Sequence, residues 1–265
     1  MMEIIVIGTG NLGLNLCKAI ENQYVINNSA FAKAENKNVK NTLKLVGYYN
    51  TSSTTIDSLQ APLLQSITAL PEVDLIIIAT PDDYIASVSM TIKTKAIIAH
   101  TSGSVAMQAV SNHANHGVFY IPQSFSKSRE MNFEELPICV EFNNSIAQEG
   151  LEELGNQLSS KLTYLNSQQR GRLHIAAVYM NNFVNHCYTK ADEILKEAKI
   201  DASLLYPLMN ETLAKAQDLS PYQAQTGPAR RNDVQTITRH LEALKLNDRN
   251  MYDAITQSIK NTYGN

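Results

Sequence analysis

With 265 residues, 44% hydrophobic and 18% charged, the chain has the composition of an ordinary globular protein rather than a disordered or fibrous one, and its length exceeds one typical core, so two domains are expected. A formal net charge of −3 leaves no basic surplus to neutralise a nucleic-acid backbone or an anionic membrane, so neither is expected as a partner and a small molecule is favoured. Cys17, Cys139 and Cys187 are odd in number and widely spaced. With the histidines they show no metal-ligand spacing, so no metal is expected. The start Met1-Met2-Glu3 lacks a basic leader and no apolar run approaches the roughly 20 residues that cross a bilayer, so a cytoplasmic location is expected.

Ile4 to Ile7 are apolar and mostly β-branched, and GTGNLG (Gly8 to Gly13) then opens a stretch in which Leu12, Leu16 and Ile20 recur at helical spacing. Strand, tight turn and helix are predicted. The polar stretch Asn27 to Asn41 is predicted to be a surface insertion before a second strand, Leu43 to Tyr49. DLIIIATPDDYIASV predicts a buried strand from Leu75 to Ala79, with Thr80 as N-cap and Pro81 at the first helical position. AIIAHTSGS reads as a strand ending near His100 and a loop entering a helix, and GVFYIPQSF as a strand ending in a second polar loop. ICVEF and LTYLN add two strands around a helix at SIAQEGLEELGNQLSS.

The repeated alternation predicts an α/β fold, a Rossmann-type, mostly parallel sheet over residues 1–166. Beyond it, long helical patterns predict an all-α domain over residues 167–265. Ligands of such sheets bind outside the carboxyl ends of the strands, where Gly8 to Gly13, Thr80 to Asp83, His100 to Ser104 and Gln123 to Ser126 should converge.

In the glycine turn, Gly8 permits the tight turn, Gly10 lets backbone approach a pyrophosphate, and Gly13 lets the helix pack on the sheet. The helix from Asn11 then turns free N–H groups toward the phosphates. Gly8, Thr9, Gly10, Asn11, Leu12 and Gly13 are therefore expected to hold a dinucleotide. NAD enzymes usually end the second strand in an acid that bonds the ribose 2′-OH. Here Asn50, Thr51 and Ser52 occupy that place and the first acid is Asp57, which favours NADP(H), although the same residues also suit a turn without a ligand. Thr80, Pro81 and Ser102 are expected on the nicotinamide side.

In HIAAVYMNNFVNH, His174, Asn181, Asn182, Asn185 and His186 fall on one face at α-helical spacing, opposite an apolar face that predicts burial. The polar stripe reads either as ligand contacts, with His174, Asn181 and Asn182 in catalysis and His186 on the substrate, or as satisfied core or interface groups. In AQTGPARRNDV, Gly227 and Pro228 break the chain, and Asn232 or Asp233 caps the next helix. Arg230 reads as an anion clamp on substrate or as part of a structural ion pair. Gln123 is a further substrate candidate.

IGTGNLG, LIIIATPDDYI, HTSGS, YIPQSFSK, RLHIAAVYMNNFVNH and PYQAQTGPARRND together resemble a bacterial family of NADP oxidoreductases with a Rossmann-like domain and a helical C-terminal domain of unknown function. The resemblance implies the architecture of 6-phosphogluconate dehydrogenase and pyrroline-5-carboxylate reductase, with a helical domain that forms a homodimer. Deazaflavin-dependent NADP oxidoreductases look similar in the first domain. It implies hydride transfer to or from a small carbonyl or imine. Related hydroxyacid dehydrogenases carry a lysine four residues before an asparagine, where this chain has Ala177 and Val178. His174 is then the expected proton donor, and a non-catalytic NADP(H)-binding redox sensor is the alternative. The loop YIPQSF also departs from the Tyr-Pro-Leu-Gln-Thr-Phe order of close relatives.

Overall fold

The structure, a computed structural model, describes residues 1–28 and 42–264, so most of the predicted insertion Asn27 to Asn41 lies outside the described residues. The chain forms two compact units, Met1–Asn182 and Phe183–Asn265.

The first unit runs β1 (Met2–Ile7), α1 (Asn11–Asn28), β2 (Leu43–Tyr49), β3 (Leu75–Ile78), α2 (Ile85–Thr91), β4 (Ile97–His100), β5 (His116–Tyr120), β6 (Pro137–Phe142), α3 (Ser145–Leu158), β7 (Lys161–Tyr164) and α4 (Ser167–Ala177). Its strands form one sheet in the order β2-β1-β3-β4-β5-β6-β7. Every neighbouring pair is parallel except β5 with β6. Parallel neighbours need a crossover, whereas the chain between β5 and β6 returns without one, so β6 runs back beside β5. The order reverses at β1, whose neighbours are β2 and β3. That reversal opens a crevice beyond the ends of β1 and β3.

Alternation along β1 sends Ile4 and Val6 to one face and Ile5 and Ile7 to the other. The first face packs Leu16 and Ile20 of α1 and Leu151 and Leu154 of α3, and the second packs Ile85, Ile92 and Val110. Because both faces are covered, β3 can read Leu-Ile-Ile-Ile without a polar residue, all four buried.

Two expectations shift at helix starts. Pro81 is not the first helical residue. Its ψ of 148° is extended and places it at the N-cap of a 3-10 turn, Asp82–Tyr84, that leads into α2, because the proline ring fixes φ but leaves ψ free. The helix expected after HTSGS is only a 3-10 turn, Met107–Val110.

The second unit is helical among its described residues: α5 (Val184–Glu197), α6 (Tyr206–Asp218), the short α7 (Pro221–Ala224), α8 (Val234–Ala243) and α9 (Leu246–Tyr263). Asp233 caps α8 by accepting from Thr236 N–H. Between α4 and α5, Val178–Phe183 are π-helical. The burial expected of this stretch is not found: Tyr179, Met180 and Phe183 are 64%, 80% and 50% exposed. An apolar helical face needs cover, but periodicity does not say that the same chain supplies it.

Phe119 is fully buried in the larger core. Phe119→Ala should cost about 3–5 kcal/mol in urea unfolding monitored by circular dichroism, whereas a loss under 1 kcal/mol would mean that the site collapses around the deletion.

Candidate functional site

The crevice at the strand reversal holds a cleft of about 560 Å³. Gly8, Thr9 and Gly10 line it from the end of β1, Asn50, Thr51 and Ser52 from the end of β2, and Thr80 and Pro81 from the end of β3. The structure thus brings together three of the segments expected to contact a dinucleotide. Asn11, Leu12, Gly13 and Ser102 do not line it.

The glycines of the turn differ in what they meet. Gly8 has φ +97°, and a Cβ there would lie 2.5 Å from Ala79 O. One at Gly13 would lie 2.0 Å from Gly8 O, so the packing of α1 on the sheet needs hydrogen at that position. At Gly10 an added Cβ meets nothing within 4 Å. The space beside Gly10 is therefore cleft rather than protein, as close approach of a ligand backbone requires. Thr80 Oγ1 is buried without a hydrogen bond among the described residues, a polar atom for which a ligand group would be a partner.

At the end of β2 the side chains partly engage one another. Asn50 Oδ1 accepts from Ser52 Oγ at 3.0 Å and from Thr54 N–H at 3.3 Å, and Asn50 Nδ2 donates to Thr54 O at 3.0 Å. The segment is a closed turn carrying hydroxyl and amide groups and no carboxylate. Tyr84 and Val88 add apolar wall to the same cleft, and Lys127 adds its charge.

A second cluster lies beyond the ends of β4 and β5. Arg170, on α4, is 1% exposed. Its guanidinium pairs with the Glu141 carboxylate, donates to Ser102 O at 3.1 Å and Ser167 Oγ at 3.3 Å, and also reaches Val105 O. Glu141 in turn accepts from Ser167 N–H at 2.9 Å. Arg170 therefore pins the loop after β4 to the first turns of α4. One turn later on α4, His174 reaches that same loop: a Cβ at Gly103 would lie 2.6 Å from His174 Nδ1. Tyr120 Oη lies 3.2 Å from His174 Nδ1. Burial pushes the Tyr120 hydroxyl pKa up, which keeps it protonated as a hydrogen-bonding partner. Ser102 Oγ accepts from Ser104 and Val105 N–H, both at 3.0 Å, and so shapes the loop.

His100 ends β4, fully buried. Its Nδ1 accepts from Ser102 N–H at 3.2 Å, and Nε2 has no hydrogen bond among the described residues. Desolvation first, and then the charge of Arg170, push its pKa down to about 4, against a smaller opposing effect of the Ala106 backbone.

The remaining candidates are dispersed. Asn181 and Asn182 are exposed in the π-helical segment. Each π turn takes an extra residue, so the single polar face expected from α-helical spacing is not maintained through it. Gln123 is exposed, its Oε1 accepting from Ser124 N–H at 2.7 Å. His186 lies on α5 in the second unit. Arg230, in that unit, stands 4.5 Å from the ring centroid of Tyr263, which stacks on Tyr222. Arg170, Glu141, Tyr120 and Lys127 were not among the expected residues. No spacing rule marks one of the two arginines in SQQRGRLHI, or a lone lysine in a loop, as part of a site.

Residues 136–259 match a family defined as a domain of unknown function, DUF2520. A Bacteroides fragilis protein provisionally described as an NADP oxidoreductase is 30% identical, with 97% of each chain covered and a TM-score of 0.82. The chain belongs to that protein's family. Two more distant structures share its fold at 13% identity. One is Plasmodium falciparum pyrroline carboxylate reductase with NADP bound (99% of this chain and 100% of that one, TM-score 0.58), and the other a Streptomyces aurantiacus imine reductase (98% and 93%, TM-score 0.59). No curated protein matches the sequence significantly. Among the described residues no helix is long and apolar enough to cross a membrane.

Gly10→Ala should leave the unfolding midpoint within the range of a surface substitution, about 0.5 kcal/mol, whereas Gly8→Ala and Gly13→Ala should destabilise clearly; equal losses for all three in urea titrations would contradict a cleft beside Gly10. His100, neutral in the fold and with an ordinary pKa when unfolded, favours the fold fully above about pH 6.5. This contribution is lost as pH falls toward its folded pKa of about 4. Over that window it amounts to roughly 3 kcal/mol, and stability measured against pH should flatten there in His100→Gln.

Proposed function

We propose that the chain is an NADP(H)-dependent oxidoreductase that transfers hydride to or from a small carbonyl or imine. The observation that carries the reading is the cleft at the strand reversal, where an open Gly10 faces a β2 end with donors and no carboxylate. Gly8, Thr9 and Gly10 would hold the pyrophosphate, with the first turn of α1 (Asn11, Leu12, Gly13) supplying backbone N–H groups. Asn50, Thr51 and Ser52 would face the 2′-phosphate, and Thr80 and Pro81 the nicotinamide half. Membership of a family that includes a provisional NADP oxidoreductase supports this, as does the fold shared with a reductase solved with NADP. Bound there, the nicotinamide supplies or accepts the hydride.

The chain's own contribution is proton transfer. With His174 Nδ1 engaged by Tyr120, Nε2 is the nitrogen left to exchange a proton with substrate, a task that an imidazole can perform as general acid or base. It takes the place of the lysine that Ala177 and Val178 do not provide. We assign Asn181 and Asn182 to catalysis with His174, and Gln123, His186 and Arg230 to substrate contacts. Nucleotide binding falls to residues 1–166, which also carry Gln123, and the other substrate contacts and the subunit contacts fall to the helical residues 167–265. Exposed Leu204, Tyr206 and Leu208 in the second unit support a homodimer.

Calorimetric titration with NADPH and NADH tests the cofactor. NADPH should bind at least tenfold tighter, about 1.4 kcal/mol, and Asn50→Asp should abolish the difference. Equal binding of both by the unaltered chain would sink the NADP(H) assignment. On a carbonyl and imine panel, His174→Ala should lower turnover by about 10²–10⁴-fold at unchanged NADPH affinity. Stoichiometric NADPH binding without turnover by the unaltered chain would instead identify a redox sensor.

A further inference from the structure

The pyrophosphate of a dinucleotide carries two negative charges into a cleft whose backbone donors are neutral. Among the described residues lining that cleft, one side chain is charged, that of Lys127. It comes neither from the glycine turn nor from the end of β2 but from the connection after β5, and it takes part in no ion pair among the described residues.

The connection is held in place from two sides. Asn15, 5% exposed, donates from Nδ2 to Asn11 O at 2.8 Å and to Ser126 O at 3.1 Å. The residue before Lys127 is thereby tied to the first turn of α1. Phe125 packs on the larger core beside Phe133, with ring centroids 5.8 Å apart. After Lys127 the chain turns, Arg129 N–H donating to Ser126 O at 3.3 Å and Ser126 Oγ meeting Ser128 Oγ at 2.9 Å. The backbone that carries Lys127 is thus fixed against the helix terminus, and only the flexible side chain remains to be ordered by a ligand.

We propose that Lys127 is the cation that clamps the nucleotide's pyrophosphate across the mouth of the glycine turn. This rests on the reading of the cleft as a dinucleotide site and adds a residue and a phosphate group to it. The tether selects the pyrophosphate over the 2′-phosphate: Asn15 and Ser126 tie the connection that carries Lys127 to the start of α1, where free N–H groups gather for phosphate, whereas the turn at Asn50 that would face the 2′-phosphate is held by Thr54 and not by this connection. A flexible ammonium suits such a role as a point charge on phosphate.

The test is calorimetric titration of the whole chain and of Lys127→Met with NADPH, NADH and ADP, the last lacking both nicotinamide and 2′-phosphate. All three affinities should fall by a common factor of tenfold or more, with the NADPH to NADH ratio unchanged. Lys127→Arg should recover most of the loss, and the urea midpoint of nucleotide-free Lys127→Met should match that of the unaltered chain. Unchanged affinity for all three overturns the proposal. A loss confined to NADPH overturns it too, since Lys127 would then meet the 2′-phosphate. If the unaltered chain binds none of the three, the nucleotide reading of the cleft fails first and takes this assignment with it, an outcome distinct from either of the others.

Discussion

The buried guanidinium of Arg170 holds the carboxyl end of the first unit's sheet together. A charge with almost no solvent access is tolerable only when its donors are met, and here a carboxylate, two backbone carbonyls and a hydroxyl meet them. The carbonyls belong to the loop after β4 and the carboxylate to β6, so one side chain joins three segments far apart in the chain. Removing Glu141 would leave the Arg170 guanidinium buried without its counter-charge, which is costlier than never having built the pair.

The consequences run outward from that junction. His174 stands one turn beyond Arg170 on α4, so the contacts that seat the arginine also seat the imidazole against Gly103 and Tyr120. The charge of Arg170 further disfavours protonation of His100, already suppressed by burial at the end of β4. A neutral His100 leaves its Nδ1 free to accept from Ser102 N–H, and Ser102 Oγ then shapes the turn through Ser104 and Val105. The loop that meets His174 is therefore over-determined, which is what a group expected to transfer a proton needs from its surroundings.

The cleft at the strand reversal obeys a different constraint, the topology of the sheet. Because β1 lies between β2 and β3, the loops at their carboxyl ends diverge and leave a crevice that no protein atom fills beside Gly10. That a parallel sheet would form was legible in the sequence, since buried runs such as Leu75 to Ile78 alternate with helical periods and only a sheet covered on both faces tolerates them. The roles of Gly8 and Gly13 were legible as well, because turn and close packing impose local demands on residue type. The positions of Arg170, Glu141, Tyr120 and Lys127 were not, since each gains its meaning from partners remote in sequence.

The sequence by itself determined the order of strands and helices, the glycine turn and the absence of an acid at the end of β2, all set by local periodicity and residue chemistry within a few positions. Tertiary structure alone decided the antiparallel turn of β6, the 3-10 start after Pro81, the π-helical turn at Asn181 and Asn182, and the placing of Lys127 on the same cleft as the glycine turn. These depend on how the chain closes its long connections and on which hydrogen bonds win in a crowded interior, balances of non-local terms that no window of sequence contains.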